Sequence, residues 1–209
     1  PPIRVLTLGE ITSFKYNNIT TNSIELLFDG SYQSVSLYDI CGHSISSNLR
    51  NNFLDISLNP GTQYSYSLVP LNNLSRPALP FITYPIYTLP NLLKNYYGNV
   101  TENNIKLLFE GSYNTVSIIR NDGVEYHNIS DISYTIIDLI PDTSYSFTII
   151  PYLGDISGNK LIYDYKYTLP KITSVIYEDL SANSISLHFI GKFHYVNVIR
   201  NDGFSINNI

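Results

Sequence analysis

Histidine and cysteine, the side chains best suited to nucleophilic and metal chemistry, are few in this sequence. The histidines are His43, His127, His188 and His194, and the single cysteine is Cys41. None of the histidines shares a helical or turn spacing with Asp, Glu or Cys ligands in a known motif. A reactive thiolate at Cys41 would need a base placed beside it, and the nearby His43 belongs to no recognised arrangement. We therefore predict no catalytic residue, no metal site and an exposed thiol.

Carboxylates could serve acid–base catalysis or bind calcium, but their positions favour neither chemistry. Four of them lie at predicted turns or strand ends: Asp29, Glu110, Asp138 and Asp142. A catalytic pair would need an enclosing pocket, which turns and strand ends alone rarely provide. A calcium site between modules would need a cluster of acidic residues, and Glu10, Glu178 and Asp179 are too few. The sequence predicts no cofactor.

Four Asn-x-Ser/Thr triplets are candidate glycosylation sites. They begin at Asn18, Asn73, Asn99 and Asn128. We place all four in turns, and in a secreted protein they could carry glycans. A chain this rich in Asn and Ser also produces such triplets by chance, so the signal is weak.

Composition indicates a folded all-β protein. Hydrophobic residues make up 44% of the chain and charged residues only 14%, which suits packed cores rather than disorder. The apolar residues are mainly Ile, Leu, Val, Tyr and Phe, which favour strands. The net charge of −5 is spread along the chain, so we expect no nucleic acid and no anionic membrane as partner. No apolar run is long enough to span a bilayer, and a single cysteine excludes an intrachain disulfide.

The elements that position these side chains are organised as a repeat. Residues 58–68 (LNPGTQYSYSL) and 139–149 (LIPDTSYSFTI) share one pattern, and Thr-Leu pairs recur at 7–8, 88–89 and 168–169. A period of this length indicates small modules joined in a row. We predict four segments: 1–8 as the last strand of a preceding copy, 9–89 as the first repeat, 90–169 as the second repeat, and 170–209, the third segment, as the first half of a further copy. The chain is then a window from a longer array.

Within each copy, alternate residues of the strands are predicted to face the interior. The second strand buries Ile24, Leu26 and Phe28, or their counterparts Ile105, Leu107 and Phe109, or Ile185, Leu187 and Phe189. The third strand buries Val35 and Leu37, or Val116 and Ile118, or Val196 and Val198. The last strand of the second repeat is expected to turn Tyr163, Tyr165 and Tyr167 inward. Asp122-Gly123 and Asp202-Gly203 predict hairpins with two-residue turns.

These motifs resemble the fibronectin type III fold along the whole chain. The resemblance lies in Leu-x-Pro-x-Thr-x-Tyr followed by inward residues at every second place, an aromatic residue ending the second strand, and a closing Thr-Leu-Pro. It implies antiparallel Ig-like sandwiches of seven strands or slightly fewer, in which Tyr64 and Tyr145 are corner tyrosines bonded to nearby backbone. The usual tryptophan of the second strand is replaced by phenylalanine. Junctions containing Pro, without Gly/Ser linkers, imply an extended, semi-rigid rod.

The expected function is structural and non-catalytic. Tandem modules of this kind would act as a spacer in a cell-surface, extracellular-filament or virion assembly, through contacts with other proteins or further copies of the chain. Two alternatives remain open: an adhesion or receptor segment with a defined ligand, and carbohydrate-binding or spacer repeats attached to an enzyme. In the third segment, the inward residues of the strands are predicted to be uncovered, because three strands cannot close a sandwich.

Overall fold

The structure is a computed structural model that describes residues 7–209. That part of the chain contains strands and turns and no helix, which confirms the all-β prediction. A membrane-crossing helix is accordingly absent from residues 7–209. Most of the predicted strand at 1–8 lies outside the described residues; Thr7 and Leu8 are exposed and not in a strand.

The first repeat contains two antiparallel sheets. One has the order β1-β2-β5, formed by β1 (Glu10–Asn17), β2 (Ser23–Ser31) and β5 (Asn52–Ile56). The other has the order β4-β3-β7-β8, formed by β3 (Ser34–Asp39), β4 (Ser44–Leu49), β7 (Tyr66–Leu71) and β8 (Phe81–Ile82). A short pair, β6 (Gln63–Tyr64) and β9 (Ile86–Tyr87), lies apart from these sheets in the pairing. A three-stranded and a four-stranded sheet make the predicted seven-stranded sandwich.

The second repeat also contains two antiparallel sheets, of three and five strands. The first has the order β10-β11-β14, from β10 (Asn91–Val100), β11 (Ile105–Ser112) and β14 (Ser133–Ile136). The second joins β12 (Thr115–Arg120), β13 (Glu125–Ile129), β15 (Ser144–Leu153), β16 (Ile156–Ser157) and β17 (Leu161–Tyr167), in the order β13-β12-β15-β16 with β17 also paired to β15.

The third segment has two pairs of strands. They are β18 (Lys171–Glu178) with β19 (Ser186–Lys192), and β20 (Val198–Ile199) with β21 (Ser205–Ile206). The β18–β19 pair repeats the register of β1–β2, including a bulge at the same place. The bulge explains a recurring glycine, because a Cβ on Gly30 or Gly191 would lie 2.0 or 2.1 Å from the carbonyl oxygen of Glu10 or Lys171.

The predicted inward faces of both repeats are confirmed. Phe28 is 3% exposed and Phe109 is fully buried, so phenylalanine fills the place of the expected tryptophan. The other buried residues of these strands are Ile24, Leu26, Val35, Leu37, Ile105, Leu107, Val116 and Ile118, and β15 buries Tyr145, Phe147 and Ile149. Full burial of an aliphatic or aromatic side chain stabilises a fold by about 1.5–3 kcal/mol, so these residues hold the sandwiches together.

Two predictions about the last strands and turns are wrong. Tyr165 and Tyr167 are exposed, because a bulge in the β15–β17 pairing places Lys166, not a tyrosine, opposite Tyr145; only Tyr163 is buried. The hairpin loops are one residue longer than predicted. Gly123 and Gly203 have positive φ but the preceding aspartates do not, which is the pattern of a type I turn followed by a left-handed glycine.

The third segment exposes much of its apolar surface. Ile185 is 51% exposed, and Leu187, Phe189 and Val198 are partly exposed as predicted, whereas Val196 is buried. The chain divides into two compact units. One runs to Asn91 and adds Ser112–Asn114 and Pro151–Asn159, and the other holds Leu92–Gly111, Thr115–Ile150 and Lys160–Ile209. The repeat boundaries at 89/90 and 169/170 stay predictions.

Candidate functional site

Three hairpins at equivalent places have the same backbone. They connect β3 to β4, β12 to β13 and β20 to β21. In each loop the glycine N–H donates to the carbonyl of the residue just before the loop. The three bonds join Gly42 to Asp39 (3.1 Å), Gly123 to Arg120 (2.9 Å) and Gly203 to Arg200 (2.9 Å). The three glycines have φ of 88°, 89° and 91°. The backbone therefore presents the same five side-chain positions in every copy.

In the second repeat and the third segment, these hairpins hold an arginine–aspartate pair. Arg120 donates two hydrogen bonds to Asp122, both of 2.7 Å, and Arg200 donates two to Asp202, of 2.9 and 2.7 Å. The hydrogen bonds from Arg120 and Arg200 hold the pKa of these carboxyls below their usual range. Such a pair orders the loop and has no chemistry of its own.

In the first repeat, the same positions hold Asp39, Cys41 and His43. One ligand atom from each side chain lies within 4.8 Å of the other two. His43 Nδ1 is 2.7 Å from Asp39 Oδ2, and the His43 N–H of the backbone donates to Asp39 Oδ1 at 2.8 Å. The side-chain hydrogen bond with His43 is the largest cause of a lowered pKa of Asp39. Cys41 is a free, exposed thiol, as predicted.

This cluster is a candidate metal site that the sequence analysis did not predict. Its three donors alternate along the chain at positions 39, 41 and 43 around Gly42. Alternate residues of an extended strand point to one face, but a tight turn also brings the two ends of a five-residue segment together. A turn signal at Gly42 combined with donors on both sides of it was the pattern that could have revealed the cluster.

The remaining histidines lie at the surface. His127 on β13 is 3.1 Å from Ser117 Oγ through Nδ1 and 3.1 Å from Glu125 Oε2 through Nε2. This Ser-His-Glu contact does not make a nucleophile available, because Ser117 is buried whereas the histidine and the glutamate are exposed. His194 pairs with Asp142 at 2.5 Å, and His188 is exposed.

The candidate carboxylates have structural roles. Asp29 accepts the Gly30 N–H at 2.8 Å, and Glu110 lies 3.6 Å from Lys94. Asp138 and Asp142 occupy the left-handed region, with φ of 57° and 50°, which is a turn role. Among the described residues, Glu10, Glu178 and Asp179 form no group of three metal ligands.

The four candidate glycosylation residues are exposed, but not all lie in turns. Asn18 and Asn73 do, whereas Asn99 lies in β10 and Asn128 in β13, so the turn prediction is wrong for the last two. Asn128 has φ of 57° and sits where the β12–β13 register shifts. The bulge explains the error at Asn128, because turn-like backbone occurs there inside a strand.

Turn chemistry accounts for part of the triplets at Asn18 and Asn99. The hydroxyl of Thr20 accepts the N–H of Asn22 and of Ser23, at 3.2 and 3.0 Å. Thr101 does the same for the next repeat, and Ser181 does so in the third segment, where no triplet exists. A hydroxyl at this place caps the turn between the first two strands whether or not the chain is glycosylated.

The corner tyrosines bond to backbone as the resemblance implied. The Tyr64 hydroxyl accepts the Asn59 N–H at 2.9 Å, and the Tyr145 hydroxyl accepts the Ile140 N–H at 3.0 Å. Tyr16 and Tyr97 lie at equivalent places in the first strand of each repeat. The Tyr16 hydroxyl donates to the backbone carbonyl of Tyr84, between β8 and β9, and the Tyr97 hydroxyl donates to that of Asp164 in β17. Burial raises the pKa of both hydroxyls to about 12, so they stay protonated and donate these hydrogen bonds at neutral pH.

The closing threonine of each repeat is a buried link. Thr88 is fully buried; its hydroxyl donates to the Asn59 carbonyl at 2.6 Å and accepts the Thr62 N–H at 3.0 Å. Thr168 makes the same two bonds, to Ile140 at 2.7 Å and from Thr143 at 3.0 Å. The recurring Thr-Leu-Pro therefore has a structural explanation.

Both repeats contain two antiparallel sheets, a corner tyrosine bonded to backbone and a buried phenylalanine in the second strand. A two-domain fibronectin type III segment of chicken tenascin is similar to this structure, with a TM-score of 0.51, 16% identity, and coverage of 76% of this chain and 99% of that chain. The chain has the fibronectin type III fold. No protein-family model and no curated protein matches its sequence.

Two further solved fibronectin type III arrays are similar at lower TM-scores. The central fibronectin-III array of RIM-binding protein has a TM-score of 0.32 and 12% identity, covering 87% of this chain and 79% of that chain. The chicken CNTN1 FN1–FN3 domains have a TM-score of 0.36 and 14% identity, covering 86% and 74%. Identities this low do not carry a ligand or a partner over to this chain.

Proposed function

We propose that these tandem fibronectin type III-like repeats form a non-catalytic structural spacer. They would act through protein–protein contacts in a cell-surface, extracellular-filament or virion assembly. The repeats would be residues 9–89 and 90–169, with 170–209 the first half of a further copy. Contacts with further copies of the chain are part of the proposal, and glycans on the exposed Asn18, Asn73, Asn99 and Asn128 are compatible with it.

The observation that carries the proposal is the brevity of the connections. β9 ends at Tyr87 and β10 begins at Asn91, and β17 ends at Tyr167 while β18 begins at Lys171. Each three-residue connection is Thr-Leu-Pro. The threonine is held by two side-chain hydrogen bonds, and the leucine N–H donates to the carbonyl of Thr20 or Thr101 at 2.9 or 3.0 Å. A short connection whose threonine and leucine are held by the preceding repeat, and which ends in a proline, restricts reorientation, as a spacer requires.

The interior supports a structural role as well. The inward positions of both repeats are filled by aliphatic and aromatic side chains, and buried polar groups such as Thr88 and Thr168 are hydrogen-bonded. Catalytic sites need converging polar groups in a concave pocket from which water is excluded. The titratable clusters described above lie at exposed hairpins and strand surfaces instead.

Small-angle X-ray scattering on the 209-residue chain tests the spacer role. We expect an elongated particle whose distance distribution broadens when about eight Gly/Ser residues are inserted between Leu89 and Pro90, because such an insert is a flexible coil. The matched control carries the same insert between Leu74 and Ser75, in an exposed loop within the first repeat. Scattering of the unmodified chain that already equals that of the junction insert would contradict the proposal.

Binding assays separate the spacer from its alternatives. A spacer should bind the chain itself or a protein of its assembly and should give no specific signal on a glycan array. Saturable binding of one carbohydrate by the unmodified chain would support the carbohydrate-binding alternative and contradict the proposal.

A further inference from the structure

The first-repeat hairpin brings three different metal-binding donors together on five residues. The carboxylate of Asp39, the thiol of Cys41 and the imidazole of His43 have ligand atoms within 4.8 Å of one another, and no other such group of three occurs in residues 7–209. In a tetrahedral zinc site, with bonds of about 2.0–2.3 Å, ligand atoms are about 3.3–3.6 Å apart. The side chains need to move by about an ångström for a tetrahedral ion to bind.

The backbone beneath these donors is already ordered. Asp39 and His43 are joined across the loop by the Asp39 N–H, which donates to the His43 carbonyl at 2.9 Å, and Gly42 N–H donates back to Asp39. The equivalent hairpins have the same bonds with unrelated side chains. The Cys41 thiol and the His43 imidazole are therefore not needed to form the turn, because the second repeat forms it with Asp122 and Val124 at those places.

We propose that Asp39, Cys41 and His43 form a binding site for a borderline divalent cation of the Zn²⁺ class, with water in the fourth position. A thiolate and an imidazole select such ions over Ca²⁺ and Mg²⁺, which prefer oxygen ligands. On binding, the Cys41 thiol loses its proton to solvent and a metal–sulfur bond forms. His43 binds the ion through the lone pair of Nδ1, and the hydrogen between Nδ1 and Asp39 moves by exchange with solvent to Nε2, so the imidazole stays neutral. No electron is transferred.

Exposure defines what kind of site this is. The side chains of Asp39 and His43 are 39% and 80% exposed, so the ion exchanges freely with solvent and its affinity is moderate. Three protein ligands leave one position open, as in zinc sites that bind water or an added group. A carboxylate, thiolate or imidazole of another molecule could take that position, which makes the hairpin a metal-dependent contact point.

Cobalt substitution in the full chain tests the site directly. With the thiol kept reduced by a phosphine, Co²⁺ should give one thiolate-to-metal charge-transfer band per chain, with the d–d intensity of tetrahedral cobalt, and Zn²⁺ should displace it. Cys41→Ser should abolish the charge-transfer band. Asp39→Asn and His43→Gln should each weaken binding by at least about tenfold, since losing a direct ligand costs no less than losing an outer-sphere partner.

Control variants distinguish this site from adventitious binding. His127→Gln and His194→Gln remove imidazoles outside the cluster and should leave the titration unchanged. Three results would overturn the proposal: no charge-transfer band, a band that survives both Asp39→Asn and His43→Gln, or a stoichiometry of half an ion per chain, which would indicate a bridge between the Cys41 thiols of two chains. Amide spectra of each variant should match those of the unmodified chain, and His43→Asp offers a second test if His43→Gln perturbs the loop.

Discussion

The hairpins of the first and second repeats have one backbone and two different chemistries. In the second repeat, the Arg120 side chain is only 14% exposed, pairs with Asp122 and lies 5.4 Å from the centre of the Tyr145 ring. In the first repeat, the His43 side chain is 80% exposed and pairs with Asp39. The Cys41 sulfur lies within 4.8 Å of a ligand atom of each of these two side chains. The comparison shows that the glycine and the backbone hydrogen bonds are common to both turns, whereas the side chains around them differ.

The two aspartates occupy different places and do the same local task. In the hairpin segments 39–43 and 120–124, the backbone N–H of the fifth residue donates to an aspartate. His43 N–H donates to Asp39 Oδ1 at 2.8 Å, and Val124 N–H donates to Asp122 Oδ1 at 3.3 Å. Moving the carboxylate from the third to the first position leaves the third free for Cys41. The exchange keeps the turn capped and adds a donor that the arginine–aspartate hairpins lack.

Transferring the three metal-binding side chains to the second repeat is the strongest test of whether the two hairpins are equivalent. The triple variant Arg120→Asp, Asp122→Cys, Val124→His should acquire a second cobalt site with its own thiolate band, because the backbone at 120–124 matches that at 39–43. The reciprocal variant Asp39→Arg, Cys41→Asp should lose the site and remain folded. If the transplanted hairpin binds no ion while the first repeat does, the two backbones are not equivalent.

Replacing the hairpin glycines tests whether glycine contributes equally to the stability of the two turns. A Cβ on Gly42 or Gly123 meets nothing within 4 Å, so the cost of Gly→Ala comes from the left-handed φ alone. We expect Gly42→Ala and Gly123→Ala to lower the free energy of unfolding by the same amount, about 1–2 kcal/mol. Denaturant titration measures this, and unequal losses would show that side chains contribute to one turn.

Substituting the corner tyrosines tests whether the two repeats are also alike away from the hairpins. Tyr64→Phe and Tyr145→Phe each remove one hydrogen bond to a backbone N–H and keep the ring. Each should reduce the stability of its own repeat by about 1 kcal/mol. Hydrogen exchange followed by mass spectrometry assigns the loss to a repeat, and a loss in the opposite repeat would contradict this prediction.

The pH dependence of the two aspartates is the smallest expected difference. Hydrogen bonds from Arg120 and with His43 lower the pKa of Asp122 and of Asp39 in the folded state. A lowered pKa stabilises the fold above the unfolded-state pKa, and that contribution disappears as pH falls through the folded-state pKa. Carboxyl-carbon NMR should show Arg120→Gln raising the pKa of Asp122 only, and His43→Gln raising that of Asp39 only. A cross effect would contradict the independence of the hairpins.

Much of the fold follows from local patterns. Alternation places Ile24, Leu26 and Phe28 in the core, and the Leu-x-Pro-x-Thr-x-Tyr spacing correctly assigns Tyr64 and Tyr145 to the corners. The errors occur where pairing slips by a residue. A bulge reverses which side chains face inward, so Tyr165 and Tyr167 are exposed although the alternation before the bulge was correct.

The amino-acid sequence by itself determined the all-β class, the repeat and the inward faces, because these depend on side-chain period and on turn residues close together in the chain. Only the tertiary structure decided the bulges, the three-residue hairpin loops, the buried bonds of Thr88 and the meeting of Asp39, Cys41 and His43. The physical reason is that strand register and loop closure are set by hydrogen bonds between segments, and a change of one residue in either moves a side chain to the other face.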